Sequence, residues 1–245
     1  MLYNAALAAA YSHDKEQSFR FVQKALSMCP SDQRACLLMT RILSSNTQFD
    51  EALSLIEKKY DRIFLLESMK ILLNKGDYQG AESFARKLRS NWPTDPTILF
   101  YCFKLYLAIG KITTLMEILQ AWTEIDNGSS NYYYCLSQIC LLCKDSIKAE
   151  QYMKNATELD QTNGEKQAAL SEILFKNGNK ESALDKAKYA IEIDPNCIYG
   201  WIMYEKLSSG EEAKKALQKV IQLRKIMVDL SGLDFILSPH QMRKN

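Results

Sequence analysis

The sequence predicts an all-α fold, an α-solenoid of about seven helix-turn-helix repeats. Two observations predict it: apolar residues recur at helical spacing, and glycines divide them into stretches of about 12 residues. The clearest stretch places apolar or small residues at i, i+3, i+4 and i+7: Leu65, Ser68, Met69 and Leu72. After the turn Lys75-Gly76-Asp77-Tyr78 a second stripe begins at Ala81. Two such stretches joined by a short turn predict one helical hairpin per repeat.

The repeat length follows from residues that interrupt helices. Gly76, Gly110 and Gly178 are separated by 34 and 68 residues, which are one and two copies of a 34-residue repeat. Pro93 and Pro195 are separated by 102 residues, which is three copies. Because glycine and proline punctuate helices for different physical reasons, their agreement makes the period of 34 well determined.

This period divides the chain into seven repeats and an extension. The repeats are 1–32, 33–61, 62–95, 96–129, 130–163, 164–197 and 198–225. The apolar segment 226–245 follows, and we expect it either to cap the last repeat or to dock on another protein. Repeat 33–61 is five residues short, so we expect its second helix to lose about one turn and the superhelical pitch to change there.

One position of each repeat indicates where the two helices cross. Ala81, Leu115, Ala149 and Ala183 recur at the start of the second helix. A small side chain lets two helix backbones approach closely, so the alanines predict the crossing points. In repeat 96–129 larger residues occupy the small positions, and we expect them to separate or rotate its helices: Leu115, Leu119 and Trp122.

These residues resemble the tetratricopeptide repeat family. The best match is repeat 164–197, and repeat 62–95 matches almost as well. The matching residues of repeat 164–197 are Leu170, Ser171, Leu174, Asn177, Gly178, Ala183, Ala187, Ala190 and Pro195. The resemblance covers about nine-tenths of the chain and implies a right-handed superhelix of helix pairs. It also implies that the first helices line a concave groove.

The groove positions that the resemblance implies are the second, fifth, sixth, ninth, twelfth and thirteenth of each repeat. They are Arg34, Leu37, Leu38, Arg41, Leu66, Lys70, Leu73, Asn74, Phe100, Tyr101, Lys104, Leu107, Tyr134, Gln138, Leu141 and Leu142. This wall is apolar and aromatic with interspersed cations, which suits an amphipathic helix or an extended segment with leucine-like anchors and acidic residues. Alternatively, Leu37, Leu66 and Leu141 simply contact neighbouring first helices. The Lys, Asn and Arg set with which some family members bind a C-terminal carboxylate is not reproduced.

The first helix offers a second candidate interface. Its alanines predict a smooth face that could self-associate into a homodimer: Ala5, Ala6, Ala8, Ala9 and Ala10. Several repeat subunits of large assemblies, including the anaphase-promoting complex, resemble this layout in dimerising through an N-terminal repeat array.

Composition and charge argue against other classes of protein. Lys and Arg total 31 against 29 for Asp and Glu, so no strong field attracts nucleic acid or an anionic membrane. The uninterrupted apolar run of about 18 residues that a membrane helix needs is missing. Seven cysteines, an odd number, favour free thiols and a cytoplasmic or nuclear location.

Residues with the potential for chemistry are few. The two histidines, His13 and His240, lie near opposite ends of the sequence. Cys135, Cys140 and Cys143 lack the second short pair that a zinc site uses, so we interpret them as packing thiols. We therefore expect no enzyme, metal or cofactor.

The sequence thus predicts a scaffold or adaptor that binds a peptide or helix of a partner protein, as a subunit of a larger complex such as an anaphase-promoting-complex-like assembly. The alternative is an RNA-binding helical-repeat protein. It is disfavoured because Leu66, Phe100 and Tyr134 occupy positions where base-reading repeats carry small polar residues.

Overall fold

The computed structural model describes residues 2–12 and 14–226. This part of the chain forms fourteen α-helices and contains no strand. The helices are α1 Leu2–Tyr11, α2 Lys15–Met28, α3 Gln33–Ser45, α4 Phe49–Ile56, α5 Arg62–Lys75, α6 Tyr78–Asn91, α7 Pro96–Ile109, α8 Ile112–Ile125, α9 Ser130–Leu142, α10 Ser146–Leu159, α11 Gly164–Lys176, α12 Lys180–Ile193, α13 Ile198–Leu207 and α14 Gly210–Ile226. The predicted all-α solenoid of helical hairpins is confirmed. Residues 227–245 of the predicted capping or docking segment 226–245, and both histidines, lie outside the described residues.

The irregular second repeat has the predicted shortened helix. Helix α4 has 8 residues, whereas α6 and α10, which hold the same place in later repeats, have 14. The shortening therefore removes more than one turn, because a turn contains about 3.6 residues. The change of pitch, and the separation of the helices around Leu115, stay predictions.

The predicted crossing positions are fully buried. Ala81, Leu115, Ala149 and Ala183 each have 0% of their surface exposed. In two hairpins a serine of the first helix adds a hydrogen bond at the crossing. Ser137 Oγ donates to the carbonyl of Ala149 at 2.7 Å, and Ser171 Oγ donates to the carbonyl of Ala183 at 2.6 Å. Both bonds are buried, and both serines lie twelve residues before their acceptor.

Four successive first helices, α7, α9, α11 and α13, begin at side-chain caps that follow the same period. Asp95, Ser129, Asn163 and Cys197 are each 34 residues apart and accept backbone N–H groups of the first turn. Each cap satisfies amides that have no partner within the helix. The capping residues therefore repeat the register of the glycines, although four different residue types supply the acceptor.

The turns inside the hairpins use left-handed backbone. Gly76, Gly110 and Gly178 end α5, α7 and α11 with φ of 81°, 78° and 86°. The same register position in repeat 130–163 is Lys144, whose φ is 62°. Thr47 adopts φ of 63° after α3. These two side chains occupy a conformation that disfavours residues with a Cβ atom, β-branched threonine most of all.

The chain divides into two compact units, Met1–Ile118 and Leu119–Lys225, which we call the N-terminal and C-terminal units. The buried core of the N-terminal unit includes Ile42, Ile56 and Phe64. That of the C-terminal unit is built around small residues such as Ala168, with larger side chains such as Leu170 between them. In the described part of the chain, no helix is long and apolar enough to cross a membrane.

The predicted alanine face of α1 needs a correction. Ala6, Ala9 and Ala10 are buried, and Ser18 Oγ of α2 donates a hydrogen bond of 2.8 Å to the carbonyl of Ala6. The five alanines cannot share one exposed face, because six consecutive positions extend over more than one full helical turn of about 3.6 residues. Only Ala5 and Ala8 keep accessible surface.

Candidate peptide-binding groove

The predicted groove positions of the N-terminal unit meet in a cluster on α5 and α7. Lys70 Nζ lies 4.0 Å from the centroid of the Tyr101 ring. Lys104 Nζ lies 4.7 Å from the centroid of Phe100 and 5.8 Å from that of Tyr101. The two rings meet edge to face with centroids 5.7 Å apart. We call Lys70, Phe100, Tyr101 and Lys104 the aromatic–lysine cluster.

The cluster buries its two positive charges. Lys70 and Lys104 are each 5% exposed and Tyr101 is 8% exposed, while Phe100 is half-buried. A lysine normally keeps its ammonium group in water, because burying a charge costs free energy. An aromatic face offsets about 2 kcal/mol of that cost when the pair is desolvated. Two ammonium groups held in this way form a region suited to carboxylates and apolar side chains together.

A third predicted cation has an acidic partner within the wall. Arg41 makes a bidentate ion pair with Glu67, with Nε–Oε1 and Nη2–Oε2 distances both 3.3 Å. Glu67 is 2% exposed. Sequence reasoning omitted Glu67, although it holds the sixth position of repeat 62–95. Glu67 therefore compensates the charge of Arg41 within the wall.

The remaining positions on α3, α5 and α7 differ in exposure. Arg34 is exposed, and its Cζ atom lies 5.1 Å from the centroid of the Tyr3 ring. Leu38 belongs to the buried core of the N-terminal unit. Leu66 is also buried. The positions that keep part of their surface accessible are Leu37, Leu73, Asn74 and Leu107.

The C-terminal unit has a separate set of groove positions. Tyr134 and Leu141 are half-buried against its core. Gln138 is half-buried, and Leu142 is 40% exposed. These residues form no lysine-rich cluster with one another, because none of them is charged.

The same unit contains aromatic and charged groove positions that sequence reasoning missed. Tyr199 donates a hydrogen bond to Glu172, and Lys206 Nζ lies 4.8 Å from the Phe175 ring centroid. Burial raises the pKa of Tyr199, and the Glu172 charge raises it further. The 34-residue register could have identified these residues, because Glu172 and Phe175 hold the ninth and twelfth positions of repeat 164–197.

The described cysteines are free thiols, and the interpretation of packing thiols is wrong for Cys143, which is exposed. Cys135 is buried, Cys140 is half-buried and Cys143 is exposed. Burial raises the pKa of Cys140, and it raises the pKa of Cys102 and Cys197 to about 12. Among the described residues, no three His, Cys, Asp or Glu side chains form a group that could hold a metal ion.

Lys166 and Ser130 contact each other, as the lysine and serine of a hydrolase dyad do. Lys166 Nζ donates to Ser130 Oγ at 2.7 Å, and it also pairs with Asp160 at 2.9 Å. Ser130 Oγ in turn donates to the carbonyl of Ala156 at 2.6 Å. The serine proton therefore points to a backbone oxygen, while the lysine acts as a hydrogen-bond donor. This arrangement ties helices α9, α10 and α11 together and does not activate a nucleophile.

Comparison with known proteins identifies the fold. No protein-family model and no curated protein matches the chain. A tetratricopeptide repeat protein from Parabacteroides merdae ATCC 43184 matches with a TM-score of 0.61 and 11% identity, over 92% of this chain and 91% of that one. The structure of the APC/C hetero-tetramer Cut9–Hcn1 matches with a TM-score of 0.61 and 12% identity, over 85% of this chain and 42% of that one. The chain therefore has the tetratricopeptide repeat fold.

Proposed function

We propose that this protein is a non-enzymatic scaffold or adaptor that binds a peptide or helix of a partner protein in the groove of its N-terminal unit. The observation that carries the proposal is the aromatic–lysine cluster. Its four residues come from the inner positions of two consecutive repeats, and they combine ring faces with two ammonium groups. Aromatic rings supply contact area, and buried ammonium groups select for acidic residues.

The composition of the wall defines the class of ligand. Leu73 and Leu107 keep accessible apolar surface near the ends of α5 and α7, which carry the lysines. A segment with apolar anchors and at least one Asp or Glu complements both features. Such a ligand is an amphipathic helix or an extended peptide.

Selection from a random 12-residue peptide library displayed on phage tests this proposal. We expect the protein to enrich sequences with two or more large apolar residues and an acidic residue. Synthetic versions of the enriched peptides should bind Tyr101→Ala at least tenfold more weakly. They should bind Lys58→Ala unchanged, because Lys58 is exposed and outside the groove positions. Peptides that bind Tyr101→Ala as tightly as the unaltered protein would exclude this groove.

Membership of a larger complex is the second part of the proposal. It is supported by analogy with the hetero-tetramer whose subunit shares this fold. We expect the tagged protein in a native cell extract to elute from a sizing column well above its own mass of 28.1 kDa. Elution at the mass of one chain would contradict it.

A further inference from the structure

The chain contains three Asn-Gly sequences: Asn127-Gly128, Asn163-Gly164 and Asn177-Gly178. Asparagine loses ammonia most readily before glycine, because glycine has no Cβ atom to hinder attack by its own backbone nitrogen on the asparagine side chain. The attack also requires an amide group that is free to turn towards that nitrogen. The hydrogen bonds of the three sites therefore determine which of them can react in the folded protein.

Two of the three sites are held by hydrogen bonds. Asn163 Oδ1 accepts the backbone N–H of Lys166 at 3.1 Å, and Asn163 Nδ2 donates to Asp160 Oδ2 at 3.0 Å. Asn177 Nδ2 donates to Glu150 Oε2 at 2.7 Å. Because these bonds fix both amide groups, either site must open locally before its asparagine can reach the following nitrogen.

The third site lies in the link between α8 and α9 and is open. Asn127 and Gly128 are exposed, and within the part of the chain that the structure describes no residue forms a hydrogen bond with the Asn127 side chain. The backbone N–H of Gly128 donates to Asp126 Oδ1 at 3.1 Å, so a carboxylate lies beside the nitrogen that must lose its proton. Apart from its chain neighbours, a Cβ atom at Gly128 would meet only that oxygen, at 3.9 Å. The link therefore has room for a five-membered ring.

We propose that Asn127 is a site of spontaneous deamidation through a succinimide. The backbone nitrogen of Gly128 bonds to Cγ of Asn127 while the Cγ–Nδ2 bond breaks. The Asp126 carboxylate accepts the proton of Gly128 and passes it to the leaving amide nitrogen, which departs as ammonia. Water then opens the ring at one carbonyl to give aspartate, or at the other to give isoaspartate. Either product replaces a neutral amide by a carboxylate, so the formal net charge of +2 falls by one.

Incubation of the folded protein in mildly alkaline buffer, followed by peptide mass spectrometry, tests the proposal. We expect conversion at Asn127 to be at least about tenfold faster than at Asn163 or Asn177. The converted protein should also accept methyl groups from a protein isoaspartyl methyltransferase. In urea the three sites should react at similar rates, because unfolding removes the hydrogen bonds that protect two of them. Conversion of the folded protein that is no faster at Asn127 than at the other two sites would overturn the proposal.

Three substitutions test the chemistry without disturbing the helices. Gly128→Ala has room for its methyl group and lies outside the left-handed backbone region, so it should fold normally and react at least about tenfold more slowly. Asn127→Ala should produce no acidic species on isoelectric focusing as the protein ages. Asp126→Ala should slow the reaction, because the acceptor of the proton is removed. An unchanged rate in Gly128→Ala would overturn the cyclic route, and an unchanged rate in Asp126→Ala would exclude the carboxylate as the proton acceptor.

Discussion

The ammonium group of Lys70 lies 4.0 Å from the centre of the Tyr101 ring, so one repeat supplies the charge and the next supplies the aromatic face. This contact joins α5 to α7 across the hairpin boundary. A binding role and a structural role for Lys70 predict different effects of replacing this residue.

Replacing Lys70 by Met tests which role dominates. Met preserves most of the side-chain volume and removes the charge, and a buried charge adds little net stability. We expect the free energy of unfolding to change by less than about 1 kcal/mol. The affinity for acidic apolar peptides should fall at least tenfold. Chemical denaturation and fluorescence anisotropy measure the two quantities, and Lys58→Met is the matched exposed control. A large loss of stability with unchanged affinity would show that Lys70 is structural.

The bond from Ser171 to the carbonyl of Ala183 should stabilise the hairpin of α11 and α12. Ser171→Ala leaves this buried oxygen without its donor, and we expect a loss of about 1–2 kcal/mol in the free energy of unfolding. Ser90→Ala, at an exposed helical position, should change it by less than about 0.5 kcal/mol. Urea denaturation followed by circular dichroism makes the comparison. Equal effects of the two substitutions would contradict a stabilising role for the bond.

The left-handed backbone at Lys144 should lower stability. Lys144→Gly relieves the conflict between Cβ and the positive φ, so we expect a gain of about 1 kcal/mol. Thr47→Gly should behave in the same way. Gly178→Ala should lose a similar amount, because it creates the conflict that the other two remove. Melting temperatures of the three variants provide the measurement, with Lys144→Ala as a control that retains the strain. A fall in melting temperature for Lys144→Gly would refute this account.

The pair between Lys166 and Asp160 predicts a pH dependence. Burial raises the pKa of Asp160, but the hydrogen bond and charge of Lys166 lower it more, so the net pKa is lowered. A lowered pKa stabilises the folded state above the ordinary value of about 4, and this contribution is lost as the pH falls through the folded-state pKa.

We therefore expect Asp160→Asn to lose about 1–3 kcal/mol of stability at pH 7. The difference from the unaltered protein should shrink between about pH 5 and pH 2, where the aspartate becomes protonated. Glu158→Gln, at an exposed position of the same helix, should show little difference at either pH. A stability difference that stays constant over this pH range would mean that protonation of Asp160 does not change the stability of the folded protein.

The repeat architecture was predictable because its signals are local. Gly76 and Gly110 mark the same turn one period apart, and each glycine meets a requirement of its own backbone. The shortened α4 was predictable from counting residues alone. The crossing alanines were also correct, because helical spacing determines which side of a helix a residue occupies.

The groove was predictable only as a set of positions. The register indicated that Lys70 and Tyr101 would face the same side, and they do meet. It did not indicate that Arg41 would pair with Glu67, which lies 26 residues away, because ion pairs depend on side-chain conformations. The error at Ala6, Ala9 and Ala10 has a similar origin, since α2 determines which side of α1 is covered.

The order of the residues by itself determined the helices, their pairing and the 34-residue period, because turns, caps and crossing positions depend on neighbours within one hairpin. Only the tertiary structure decided that Arg41 pairs with Glu67 and that the ammonium groups of Lys70 and Lys104 lie against aromatic rings. The contacts of Arg41 and Lys70 join residues of different repeats, and their distances are determined by how helices such as α5 and α7 stack.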